Sequence, residues 1–448
     1  MFVQVKTSKM KKGISWLFLC VLLFSCSDDE SQQEKELPKQ VEWVKTYGGL
    51  KNDQANSIIN TQDGGYAILG FTQSNDGDVV DKSNESFDYW LMKFNANDDL
   101  EWNKTYGGSL DDKGNKIIQT QDSGFLITGE SRSNDEDVSI NNGSYDFWTV
   151  KLSSSGVIEW EKVLGYSGTD KANSVIQTSD NGYLITGVLD VSASEGEGNS
   201  RLNRHAGGDY WVTKISQNGT TLWTKYFGGS LSETPNDLIE TLDNGFLIIG
   251  TSDSEDVDIQ NNIGTYDFWV VKIDAFGTLV WEKSFGGSEI DEAYSITNTN
   301  DGNYVIVGNT RSNDNDVAIN KGDADLWLIK ITPEGNLIWE KTFGGLSFEV
   351  GRSVFKTQDN GFLVSGSSRS VEGDLTSNNG QNDAWVLKLN ENGSLVWQKT
   401  IGGSQIDFAL DAIELINKNI IVVGYSGSSD FDITENKGFK DLLIAKIK

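Results

Sequence analysis

Beyond residue 26 the chain has no cysteine; its two are Cys20 and Cys26. The folded part is therefore expected to hold neither a disulfide nor a thiolate-bound metal, and must be stabilised by packing and sheet closure. Histidine is scarcer still, with His205 alone in 448 residues. One imidazole excludes a multi-histidine metal centre and leaves any Ser-His-Asp arrangement dependent on a single residue. Basic charge is short too: 37 Lys and Arg face 66 Asp and Glu, a net charge of −29. Nucleic acid, which needs a basic surface, is not an expected partner. Proline is limited to 3 residues, whereas glycine reaches 48 and tryptophan 14. That balance suits many short strands joined by tight turns, an all-β chain, rather than packed helices.

Residues 1–25 carry four Lys and no acid, and Lys11 and Lys12 precede an apolar stretch at 14–24. The stretch is too short to remain in a bilayer as a spanning helix but has the length of a signal-peptide core. It ends Leu23-Phe24-Ser25-Cys26, which resembles a lipobox, a small residue before a cysteine that receives lipid. The resemblance implies a signal peptide at 1–25, lipidation of Cys26 including palmitate, and an acidic, polar linker at 26–39. An ordinary secretory signal or an uncleaved anchor is the alternative. Ser27-Asp28-Asp29-Glu30 resembles the acidic export signal of Bacteroidota surface lipoproteins, which implies an outer-membrane lipoprotein exposed on the cell surface.

Trp43, Trp102, Trp160, Trp223, Trp281, Trp339 and Trp397 recur at spacings of 59, 58, 63, 58, 58 and 58. Each copy holds four strand-like segments, in the first at 56–60, 66–72, 89–94 and 100–106, here named A to D. Asp63-Gly64, Asp122-Ser123-Gly124, Asn181-Gly182, Asn244-Gly245, Asp301-Gly302 and Asn360-Gly361 supply the A–B hairpin turns. Strand C opens on an aspartate in all seven copies, from Asp88 to Asp441, with Trp two residues on in six and Leu443 in the seventh. Residues 40–46 read as a strand D with nothing before it, and the last copy stops at strand C. The first segment should therefore complete the last blade and leave no open sheet edge. The expectation is a single seven-bladed β-propeller over 40–448, four antiparallel strands per blade, as a monomeric ring.

The unit DxWxxKLxxxGxxxWxKTxGG, as at 383–403, resembles a repeat of Bacteroidota surface and secreted proteins, and its G-x-x-x-W portion is similar to quinoprotein-type propellers. The resemblance implies a fold and no particular chemistry, because propellers host many unrelated activities. Neither a sialidase-type Asp box nor a quinone site with adjacent cysteines is visible.

Ten residues after each D-strand Trp stands an acid: Asp53, Asp112, Asp170, Glu233, Asp291, Glu349 and Asp407. With His205, in the longest B–C loop, these form the expected ligand face. The B–C loops add Asp76 and Asp78, Asp135 and Asp137, Asp256 and Asp258, Asp314 and Asp316, Glu372 and Asp374, and Asp430 and Asp432. Alternating oxygens in a Gly/Asn-rich loop suit a hard cation such as Ca²⁺; the competing reading is that they cap turns. Two repeated lysine rows, Lys45 to Lys399 in strand D and Lys93 to Lys446 in strand C, are expected to pair with the carboxylates. The 189–208 loop, with Glu195, Glu197, Arg201 and Arg204, is the largest departure from repetition. The functional expectation is a surface-anchored binding or scaffolding module for a glycan or envelope protein, Ca²⁺-assisted or not. The rivals are a carboxylate-dependent glycan hydrolase and a purely structural envelope protein.

Overall fold

The computed structural model describes residues 39–194 and 205–448. Cys26, the signal segment, nearly all of the 26–39 linker and the acids and arginines at 195–204 lie outside the described residues. From Lys39 to Lys448 the chain is one compact unit of seven four-stranded sheets. It is an all-β, seven-bladed propeller.

Blade 1 shows the plan, with strands A to D at Asp53–Asn60, Tyr66–Thr72, Asp88–Phe94 and Leu100–Tyr106 paired in that order. Strand A is longer than its expected 56–60 because the repeated acid is its first residue. Six blades are built from consecutive strands. The seventh takes Asp407–Glu414, Ile420–Ser426 and Asp441–Ile447 from the C-terminal end and Val41–Tyr47 from the other. Trp43 lies opposite Lys446 and Tyr47 opposite Leu442, so the ring is closed as expected.

Sidedness comes from the pleat. Strands B and C are buried on both faces, since each blade is covered by its two neighbours, and they read as continuous apolar runs broken by Gly and Thr. Each apolar cluster joins two adjacent blades, as where Ile249 and Phe268 of blade 4 meet Ile306 and Trp327 of blade 5. The residue after the C-strand aspartate packs on the C-strand Trp of the next blade: Tyr89 on Trp148, Phe147 on Trp211, Tyr210 on Trp269 and Phe268 on Trp327, at 4.5–4.7 Å between centroids. The D-strand tryptophans are half-buried. In five blades the C–D turn glycine of the next blade covers the tryptophan, as Gly277 covers Trp223 at a φ of 78° that suits a residue without Cβ.

Every strand A carries a β-bulge three residues after the repeated acid. In blades 1–4 that residue is Asn56, Asn115, Asn173 or Asn236, whose amide donates to a strand-A carbonyl of the next blade at 2.7–2.8 Å. The bulge thus turns a side chain sideways around the axis and ties neighbouring blades. In blades 5–7 the position is Tyr294, Arg352 and Leu410, and this latch is absent there.

Candidate functional site

The two lysine rows divide. The C-strand row is buried, and six of its seven lysines pair with A–B turn aspartates, as Lys93 with Asp63 at 2.9 Å, Lys272 with Asp243 at 2.7 Å and Lys388 with Asp359 at 2.9 Å, while Lys446 pairs with Asp98 and Glu42. Burial draws Asp243 upward, but Lys272 and the Thr241 hydroxyl outweigh it and hold its pKa at about 2. The D-strand row differs from expectation: Lys45 and Lys283 lie over the Trp two residues earlier, and Lys104 donates to the carbonyls of Ser155 and Gly156.

The strand-A acids do not project from the loop face. All seven are fully buried. In blade 1 three carboxylates and a hydroxyl take four successive amides of the D–A turn: Asp78 accepts from Gly48, Asp53 from Gly49, Asp76 from Leu50, and the Ser74 hydroxyl from Lys51, at 2.9–3.0 Å. Blade 2 repeats this with Asp137, Asp112, Asp135 and Ser133. So do blade 4 with Asp258, Glu233, Asp256 and Ser254, and blade 5 with Asp316, Asp291, Asp314 and Ser312. Blade 6 uses Asp374, Glu349, Glu372 and Ser370, and blade 7 Asp432, Asp407, Asp430 and Ser428. In blade 3, among the described residues, Asp170 accepts from the Tyr166 and Asp190 amides at 2.8 Å.

The B–C acids alternate because a middle residue of positive φ (Gly77, Glu136, Val257, Asn315, Gly373 or Phe431) turns both carboxylates onto one turn. Their oxygens serve those amides. Among the described residues no three Asp, Glu, His or Cys side chains are gathered to hold a metal. The residues named as Ca²⁺ ligands from the sequence are therefore placed as turn caps. His205 is buried with its Nδ1 against Asp209, the repeated aspartate of strand C in blade 3, and its ring edge-on to Tyr226.

The C-strand aspartates, read from the sequence only as strand markers, include strongly raised carboxyls. Burial pushes Asp267 up to about 7, with Asp291 and Asp316 adding to it, and Asp383 up to about 6, with Asp407 and Asp432 adding. One Oδ of each is buried without a donor. Lys82 and His205 lie against the equivalent Asp88 and Asp209.

Seven-fold repetition fails in strand A, on the axis. Four residues after the acid the chain places Ser57, Lys116, Ser174, Asp237, Ser295, Ser353 and Asp411. Lys116 reaches Asp237 at 3.5 Å. Asp237 also accepts from the Ser174 and Ser295 hydroxyls and the Ile296 amide, and Asp411 from the Ser353 hydroxyl and the Ile58 amide. Burial pulls the Lys116 ammonium down, but Asp237 and Asp411 outweigh it and hold its pKa above the usual value. The Ser57 hydroxyl is buried with no partner. All of these except Ser174 line a cavity of 570 Å³ whose walls include Ile59, Ile118, Ile176, Ile239, Phe355 and Ile413 and which reaches Asn60 and Gln62 at the A–B turn face. An apolar wall with a few convergent polar groups is the usual make-up of a small-ligand site. Its signal in the sequence was one column of the repeat in which serine gives way to Lys, Asp and Asp.

No protein-family model matches the chain. Over 352 residues it is 23% identical to an uncharacterised WD repeat-containing protein, L264, of Acanthamoeba polyphaga mimivirus, covering 61% of this chain. The match takes in only 25% of that much longer relative. The likeness bears on the kind of repeat. Among solved structures, the Pan2 WD40 domain of Neurospora crassa superposes with a TM-score of 0.49 at 9% identity, over 91% of this chain and 97% of that one. Sqt1 of Chaetomium thermophilum gives 0.43 at 11% identity, over 85% and 82%.

Proposed function

We propose that the chain is a non-catalytic binding module, carried as a lipoprotein on the outer face of the outer membrane, that takes a glycan or an envelope-protein segment on its propeller axis. One observation carries this reading. The repeated acids are consumed in holding turns, and the chain breaks its own symmetry with charge where Lys116, Asp237 and Asp411 line an axial cavity. The oxygens of Asp237 and Asp411 are occupied by protein donors. That suits a fixed acceptor better than a pair of carboxylates exchanging protons with a substrate.

Anchoring is tested by metabolic labelling with a palmitate analogue. Label is expected on the wild-type chain at the cell surface and is expected to be lost in Cys26→Ala; retained label or a periplasmic location would refute the anchor. Ligand binding is tested on glycan arrays and by pull-down from envelope extracts. Lys116→Met and Asp411→Asn are each expected to weaken a hit at least about tenfold, the effect of losing one buried charged contact. Turnover of the bound saccharide would favour a hydrolase, and silence in both assays a structural role.

A further inference from the structure

In a chain this acidic, three of the four guanidinium groups among the described residues collect on blades 5 and 6. Arg132, Arg311 and Arg369 each follow the Ser or Thr that ends strand B, in blades 2, 5 and 6, and Arg352 is the bulged residue of strand A in blade 6. These are all the arginines among the described residues, and all lie toward the loop-face end of the ring, opposite the mouth of the axial cavity. Acids outnumber bases in the sequence, so partners were plentiful. Yet among the described residues the ion pairs are made by lysines and His205, and none by an arginine.

Aromatic rings hold these arginines instead. The Arg352 guanidinium lies 4.1 Å from the centre of the Tyr294 ring. Arg311 and Arg369 lie 5.3 and 5.5 Å from that of Phe348, which directly precedes strand A of blade 6. Lys440 continues the arc into blade 7, 4.5 Å from Tyr425, a ring that in turn stacks on Phe408 at 5.1 Å. A ring face attracts a cation through its quadrupole and leaves the charge unneutralised. The Arg311 fork and the terminal N–H groups of Arg369, whose Nε donates to the Asn382 Oδ1, therefore stay available to an acceptor from outside. The Arg352 Nε is shut off from solvent and has no acceptor.

We propose that this arc over blades 5 to 7 binds a carboxylated saccharide, a short uronate-bearing chain. Planar carboxylates match the guanidinium forks two bonds at a time, and the C–H faces of sugar rings match half-buried aromatics such as Phe408 and Tyr425. The negative field of the rest of the molecule disfavours a long polyanion and favours a short ligand held locally. This site is on the other face from the axial cavity, so it stands or falls separately from the reading above.

The test is calorimetric titration of the full-length chain with tri- and tetragalacturonate, with neutral xylo-oligosaccharides of equal length and oligoglutamate as comparisons. Galacturonate is expected to bind and to weaken several-fold as salt rises from about 50 to 300 mM. The exposed variant Arg311→Gln is expected to lose about tenfold in affinity with an unchanged melting temperature, and Lys162→Gln, on the outer strand of blade 2, to lose none. The proposal is overturned if galacturonate does not bind, if the neutral sugars bind equally well, if oligoglutamate binds in its place, or if the arginine variant binds as wild type.

Discussion

A chain lacking residues 40–47 is expected to lose its cooperative melting transition and to associate. The deletion removes the strand paired with Asp441–Ile447, the Trp43 contact with the core shared by blades 7 and 1, and the packing of Val41 and Val44 on the core shared by blades 6 and 7. It also removes Glu42, which pairs with Lys446 and Lys448. A fully buried large aromatic is worth about 3–5 kcal/mol; the half-buried Trp43 contributes part of this, and with the valines and the ladder the total should reach about 5 kcal/mol. The bared strand offers a row of unpaired backbone groups, the usual template for edge-to-edge association. Calorimetry and size-exclusion chromatography measure both effects. A deleted chain that melted as wild type and ran as a monomer would mean that the ring does not depend on this strand.

Stability is expected to peak in mild acid and to fall as pH rises toward 8. Asp88, Glu233 and Asp267 are each pushed by burial up to about 7, and Asp170, Asp209, Asp325, Asp383 and Asp441 to about 6. A carboxyl whose pKa is higher folded than unfolded holds its proton more tightly in the native state. Its contribution is complete below the unfolded value, near 4, and is lost as pH climbs through 6 and 7. The A–B turn aspartates act in the opposite sense: Asp63, Asp180 and Asp243, held at about 2, withdraw their support only as pH falls below about 4.

Asp267 isolates the first effect, because no cation contributes to its shift and its Oδ1 has no donor. Asp267→Asn keeps an acceptor for the Ile263 amide and removes the charge. At pH 8 it is expected to stabilise the ring by about 2 kcal/mol, roughly half of what a three-unit shift is worth, because the new amide must itself be buried. At pH 5, where the aspartate is already protonated, the two proteins should melt together. Equal melting temperatures at pH 8 would show that this carboxylate carries no such burden.

Much of this architecture was legible because a propeller repeats itself. The tryptophan period, the hairpin dipeptides and the aspartate that opens strand C marked the strands to within a few residues, and the unmatched strand D at the start showed how the ring closes. The acids were legible as positions and opaque as to role. A carboxylate that caps a backbone amide and one that waits for a ligand look alike in a loop rich in Asp, Gly and Asn; only the approach of the B–C loop to the D–A turn distinguishes them. The lysine rows were read as partners of carboxylates, but in the outer row Lys45, Lys104 and Lys283 lie over tryptophan rings instead.

What the sequence determined by itself was the number of blades, their strand order and the seal between the two ends. These follow from local periodicity, since each unit must bury both faces of its sheet against a copy of itself. The tertiary structure alone decided which polar residues are available for binding. Around a closed axis, single columns of the repeat from seven distant stretches become neighbours, so Lys116 meets Asp237 across 121 residues of chain. That proximity depends on ring closure and on the bulge in each inner strand, and neither is written in the local pattern around any one residue.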